Sequence, residues 1–207
     1  MLSVYYWRAK LIDFGRIVLG YHGCPVERSE AVEFTRGLIA GTNRVEDWKQ
    51  SGNDYDWLGR GVYFWEFGIH RARQWAGPNG EVIGALIQLG NCFDLTDPGC
   101  EQLLKKTYDM VASTFKERAI PLPNNEMSGG MRRNLDKLIM DQTMAIGDTT
   151  ADRNIRPDTK FQTIRCAFEE GEEAFPGSKL RSQTHIQIAV RDIHCILGVF
   201  RPREELT

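Results

Sequence analysis

Over Thr184–Arg191 apolar and polar residues alternate, with Ile186, Ile188 and Val190 on one side and His185, Gln187 and Arg191 on the other. A period of two predicts a strand whose apolar face packs into a core and whose polar face, Gln187 included, borders a cleft. A second apolar run, Ile17 to Tyr21, ends on His22-Gly23, which sets the imidazole where a strand gives way to a loop. Val82–Leu89 is apolar at both parities and predicts a central strand covered on both sides. Phe161–Phe168 predicts a strand carrying Arg165, and His185–Arg191 with Cys195–Phe200 predicts a hairpin across Asp192-Ile193-His194 that closes the sheet.

Helical spacing accounts for much of the rest. Ser29 is a candidate N-cap for a helix with Ala31, Phe34 and Leu38 on one stripe and Gly41 as its stop. Leu103, Leu104, Tyr108, Val111, Ala112 and Phe115 repeat helically between Gln102 and Ala119, and Pro121 to Asn125 ends that run. Gly129-Gly130 leads into a second helix with Leu135, Leu138, Ile139 and Met144 on its stripe and Gly147 as its stop. Thr42–Asp56 and Asp148–Lys160 are polar and read as exposed loops, and Glu169–Glu173 reads as an acidic turn. The pattern as a whole predicts an α+β chain forming a single domain over residues 1–207, with a helical insertion at about 100–147.

Composition narrows the function classes. The 207 residues, 42% hydrophobic and 26% charged, suffice for one sizeable core. With 26 basic against 28 acidic residues there is no global footprint for nucleic acid or an anionic membrane. Met1–Lys10 runs on to Asp13 and Arg16 without an uninterrupted apolar stretch, so neither a signal peptide nor a membrane span is expected, and the expected location is cytoplasmic. The five cysteines, Cys24, Cys92, Cys100, Cys166 and Cys195, are scattered with no Cys-x-x-Cys pair, which argues against a disulfide framework or a structural zinc site. Cys24 beside His22 could be a nucleophile with an imidazole base, but a buried structural thiol is the favoured reading.

Candidate chemistry centres on Trp57-Leu58-Gly59-Arg60-Gly61-Val62-Tyr63-Phe64-Trp65-Glu66. Gly59 and Gly61 are expected to supply positive φ and a close backbone approach to a ligand, and Tyr63 a ring that stacks and a hydroxyl that hydrogen-bonds. Asp54, Asp56 and Glu66 flank this stretch as candidates for contacting an acceptor, with solvated charge as the plainer account.

In this order, His22-Gly23, then Gly59-x-Gly61-Val62-Tyr63-Phe64 running into Arg71-Ala72-Arg73-Gln74-Trp75-Ala76, then the polar Gln187, resemble the ADP-ribosyltransferase superfamily. The branch resembled is that of diphtheria toxin and the poly(ADP-ribose) polymerases. The likeness covers the two ends of the chain and leaves the helical middle unmatched. Asn53 to Glu66 and His185 to Ile188 also look like a bacterial protein family, which implies a bacterial source. Glu170-Gly171-Glu172 has the Glu-x-Glu form of a second branch, that of the clostridial binary and cholera-type toxins. That branch also wants an arginine on the first strand and a Ser-Thr-Ser strand, found neither at Ile17–Gly23 nor elsewhere, so the first branch is favoured.

The resemblance implies a split mixed β-sheet with flanking helices, NAD as substrate and no metal. It implies that His22 hydrogen-bonds the adenosine ribose, that the Gly23 backbone binds the nicotinamide carboxamide and that Tyr63 stacks on the nicotinamide ring. Gly59, Gly61 and Ala72 are carried over as further NAD-contacting positions. Gln187 stands where the family commonly has glutamate; an amide keeps a hydrogen bond to the ribose but supplies neither charge nor base, so Glu66 or Glu170 is expected to activate the acceptor. The implied activity is mono-ADP-ribosylation of a macromolecule, protein or nucleic acid, in toxicity, phage defence or modification of a cellular target. An NAD glycohydrolase and a non-catalytic binding module of the same fold are the alternatives. Any antitoxin is expected to be a separate protein.

Overall fold

The periodic segments become β1 (Ile17–Cys24), α1 (Ser29–Ala40), β2 (Val62–Glu66), α2 (Ile69–Ala76), β3 (Glu81–Gln88) and β4 (Cys92–Asp94). They continue as α3 (Glu101–Glu117), α4 (Asn134–Asp152), β5 (Thr163–Phe168), β6 (His185–Val190) and β7 (Ile196–Phe200). The computed structural model describes residues 16–53, 56–125, 133–155 and 159–203. Met1–Lys10, Asp54 and Gly129-Gly130 lie outside them. The fold is α+β, with a seven-stranded sheet in the order β4-β5-β6-β2-β1-β3-β7. Neighbours are antiparallel except β4 and β5, so the sheet is mixed.

Register assigns each residue to a face, because directly paired residues share one. Phe64 pairs with Ile188 and Val62 with Val190, and this side joins Val18, Ile83, Ala85 and Ile87 in a core under Leu38 of α1. The opposite face carries Tyr63, paired with Ala189, and Trp65, paired with Gln187. There Phe93, Ile164 and Ala189 pack with Trp57, Leu58 and the α4 residues Met140 and Met144. Helix α2 crosses the same face at β1, where a Cβ on Gly23 would stand 2.2 Å from the Ala72 carbonyl oxygen.

Several expectations change. β6 and β7 form no hairpin: both edges of β6 are occupied, by β2 and β5, so β7 crosses to the far edge and pairs with β3. β3 buries Ile83, Ala85 and Ile87 on one face only; on the other, Leu86 is 43% exposed and the Phe200 ring covers Gly84. Gly147 does not stop α4, which continues to Asp152. Its missing side chain instead admits the Thr159 carbonyl, 2.5 Å from where a Cβ would stand, and Thr159 Oγ1 donates to the Gly147 carbonyl at 2.9 Å. Ser29 is the first helical residue of α1 rather than its cap, which is Arg28; Gly41 stops the helix as expected, in the left-handed conformation at φ 74°. Within the polar 42–56 stretch, Trp48 and Asp56 are buried.

Candidate functional site

β1 and β2 pair at only two positions, Gly20–Glu66 and Tyr21–Trp65, and then diverge. Their outer edges are held much longer, β1 by β3 from Ile17 to Cys24 and β2 by β6 from Val62 to Trp65. The sheet therefore forks, and a cavity of about 980 Å³ opens at the fork. The Leu19 carbonyl accepts the Phe67 N–H at 2.9 Å on the β2 side. Antiparallel alternation then turns the backbone groups of Tyr21 and of Gly23 to that same side, and at Gly23 the partner strand is gone. Gly23 thus offers a backbone N–H and C=O to the cavity it lines. The Ala72 carbonyl behind it explains why the position has no side chain.

His22 projects from the α1 side of the sheet. Its Nδ1–H donates to the Tyr63 carbonyl across the fork at 2.7 Å, and its ring meets Trp48 edge-on with centroids 5.3 Å apart. Burial alone would lower the His22 pKa, but hydrogen bonding to Cys24 and attraction to a Cys24 thiolate outweigh it and raise the value. Burial likewise opposes ionisation of Cys24, and the His22 hydrogen bond and charge outweigh it, so the thiol moves down. Cys24 also lies 3.2 Å from Thr35 Oγ1. In each case the other residue is what overcomes burial.

Tyr63 lines the cavity, and its hydroxyl is engaged elsewhere, donating to the Gly59 carbonyl at 2.6 Å and accepting the Leu58 N–H at 3.0 Å. Burial first, and then the Asp56 and Asp141 charges, push the phenol far above its ordinary range, so it stays protonated. Gly59 is left-handed at φ 74° and faces Asp141 rather than the cavity. Gly61 lines the cavity without a positive φ and packs against Val190 and Ala189. Asp56 is buried in the wall, its carboxylate accepting from Ser51 Oγ at 3.1 Å and Asn53 N–H at 2.5 Å; burial pushes its pKa up despite those bonds.

Gln187, Trp65, Arg71, Trp75 and Glu170 line the cavity on the α2 side. Glu170 receives Arg71 Nη2 at 2.8 Å, with side-chain exposures of 12% and 20%. Glu66 is not among them: three residues from Tyr63, it points to the other face, where Arg165 clamps both its oxygens at 2.5 and 3.0 Å. Ala72 is fully buried behind Gly23 rather than at the cavity. The fork therefore gathers His22, Gly23, Gly61, Tyr63, Glu170 and Gln187, and leaves out Gly59, Glu66 and Ala72.

Trp48, Arg71 and Trp75 also wall the cavity, outside the positions that the sequence singles out for ligand contact, and Trp57 does so at the start of the glycine stretch. Trp48 and Trp57 bracket the polar loop before the glycine motif, and two tryptophans flanking so polar a stretch are a signal for a buried loop. Among the described residues no group of three or more His, Cys, Asp or Glu could hold a metal. No helix among them is long and apolar enough to cross a membrane. Comparison with family models, with curated proteins and with solved structures returns no match for this chain.

Proposed function

We propose that this chain is an NAD-dependent mono-ADP-ribosyltransferase of the His-Tyr branch, with NAD bent through the fork of the sheet. One observation carries the reading: residues far apart in sequence, His22 and Gly23, Tyr63, Glu170 and Gln187, converge on one cavity walled from both faces of the sheet. A cavity of about 980 Å³ is large enough for a dinucleotide. The sheet, split between two halves that share only two residue pairs at β1–β2, agrees with the fold that the motifs imply.

In this reading the Gly23 backbone holds the nicotinamide carboxamide and the Tyr63 ring stacks on the pyridinium, whose positive charge suits an electron-rich face. As the bond from C1′ to nitrogen breaks, its electron pair neutralises the leaving pyridinium and positive charge grows on the ribose. Gln187 can hold a ribose hydroxyl but cannot answer that charge. Glu170 can, and Arg71 holds it in place at the cavity wall. Glu66 is excluded from this role by its position on the opposite face.

The test is nicotinamide release from NAD by the purified protein, with and without cell lysate. Release is expected, falling about 10²-fold in Glu170→Gln and unchanged per folded molecule in Glu66→Gln. Absence of release together with absence of any thermal stabilisation by NAD would overturn the reading.

A further inference from the structure

We infer that the part of the sheet face carrying Ile17, Leu19, Leu86 and Phe67 is a docking surface for residues 1–15 of this chain. The inference goes beyond the transferase reading and does not depend on it.

Register gathers these side chains. Ile17 and Leu19 share one face of β1, and Leu19 pairs with Leu86 of β3, which pairs with Gly198 of β7. Phe67 follows β2 and stands beside Leu19, whose carbonyl accepts its N–H at 2.9 Å. Helix α2 crosses this face near Gly23, and the Tyr21 and Phe200 rings pack edge to face beside it with centroids 6.2 Å apart. Below them the cover ends: Ile17 is 60% exposed, Phe67 64% and Leu86 43%, and a Cβ on Gly198 would meet nothing within 4 Å.

Apolar side chains exposed singly are ordinary, but these occupy adjoining positions on β1, on β3 and at the end of β2, and so form one patch. The Phe67 backbone is left-handed at φ 51°, a conformation that a bulky residue rarely adopts, and its ring is left in solvent.

The chain leading into this face supplies the occupant. Residues 1–15, outside the described residues, join β1 at Arg16, next to Ile17. They carry Val4, Tyr6, Trp7, Leu11, Ile12 and Phe14 against the charges of Arg8, Lys10 and Asp13, so they need apolar cover of their own. Gly15, just before Arg16, allows the backbone to reverse onto the face. The row from Phe67 to Gly198 crosses β2, β1, β3 and β7, about 14 Å, and lies about 10 Å from Arg16, whereas the segment can reach up to about 50 Å. Tethered so close, it meets the face at an effective concentration on the order of millimolar, which favours it over a second copy of the chain. The row also crosses the seam between β1 and β2, so the docked segment fastens those strands below the point where they part.

The experiment places the photoreactive p-benzoylphenylalanine in place of Leu86 in the full chain, irradiates both the expressing cells and the purified protein, and maps the joined peptides by mass. A product within one chain, linking that position to a peptide from residues 1–15, is expected. A product joining two copies, one joining another protein, or none at all would overturn the inference. A double-mutant cycle gives a second readout. Leu86→Asp is expected to lower the folding equilibrium constant about tenfold, where an open surface position would change it about twofold. Leu11→Ser with Phe14→Ser is expected to cost about as much, and all three together no more than about twofold beyond either, since each removes the same contact. A neutral Leu86→Asp, or effects that multiply, would overturn the inference and leave the transferase reading untouched.

Discussion

Replacing Tyr63 by Phe separates the two halves of the residue. The ring proposed to stack on NAD is kept, and the hydroxyl bonded to Gly59 and Leu58 is lost. In the wild type that oxygen satisfies the N–H of Leu58, which is 1% exposed, and the Gly59 carbonyl, at 3.0 and 2.6 Å. Each orphaned buried group costs about 1–3 kcal/mol. Taken at the lower part of that range, the two together come to about 2–3 kcal/mol. For a chain of this length that is a fall in Tm of about 5–10 °C. Urea and thermal unfolding would measure the loss, and titration with NAD the retained stacking surface. Stability is expected to drop while NAD affinity stays within about threefold of wild type. Unchanged stability with nicotinamide release reduced by orders of magnitude would refute the reasoning, because the hydroxyl would then act on the substrate rather than hold the turn.

Two further predictions follow from atoms around β1. In Gly23→Ala the new Cβ would stand 2.2 Å from the Ala72 oxygen and 3.3 Å from the Ala76 nitrogen, backbone atoms that cannot rotate aside, so stability should fall by about 2 kcal/mol in urea unfolding. NAD affinity should fall with it, since relief requires the Gly23 backbone to move. Cys24→Ala removes the hydrogen bond and charge that raise the His22 pKa and leaves burial, the larger influence, with the Arg28 charge against the Tyr63 hydrogen bond, so the value should drop below the ordinary 6.5 in an NMR titration of the ring. The sign is definite: a raised folded pKa means that His22 adds stability below its unfolded value and loses it as pH rises through the folded one, and C24A should abolish that contribution. An unshifted His22 titration in C24A would show that the imidazole and thiol are not coupled.

What could be read in the sequence was what neighbouring residues decide. Alternation in Thr184–Arg191 and the apolar run ending at His22 became β6 and β1, because period two is a local property. Partner choice is not local, and the β6–β7 hairpin failed because β2 and β5 occupy both edges of β6. Gly147 looked like a stop for the same reason: glycine permits a helix end, but here it makes room for Thr159, which is close in space. Glu66 is placed by strand parity. An odd separation from Tyr63 on one strand already puts the two on opposite faces, and the Arg165 clamp confirms that parity. Within its acidic turn only the Glu-x-Glu form singles out Glu170, and its place at the cavity depends on Arg71 of α2.

The fork explains why these residues form a site at all. A β-sheet ordinarily spends its backbone donors and acceptors on its neighbours and has none to offer a ligand. Here β1 and β2 stay in the sheet through β3 and β6 while releasing each other beyond Gly20 and Tyr21, so the opening is held from outside rather than propped from within. Such a cleft is largely preformed, and a ligand entering it pays little reorganisation. It also bridges two halves of a sheet joined across β1 and β2 by two residue pairs, the Phe67–Leu19 backbone bond and the His22–Tyr63 hydrogen bond. A ligand spanning the fork replaces the missing ladder, binding the folded state and not the unfolded chain, and at a hundred times its Kd it would add about 2.7 kcal/mol of stability. The weakest seam of the sheet is therefore also the place where ligand binding and folding are most directly coupled.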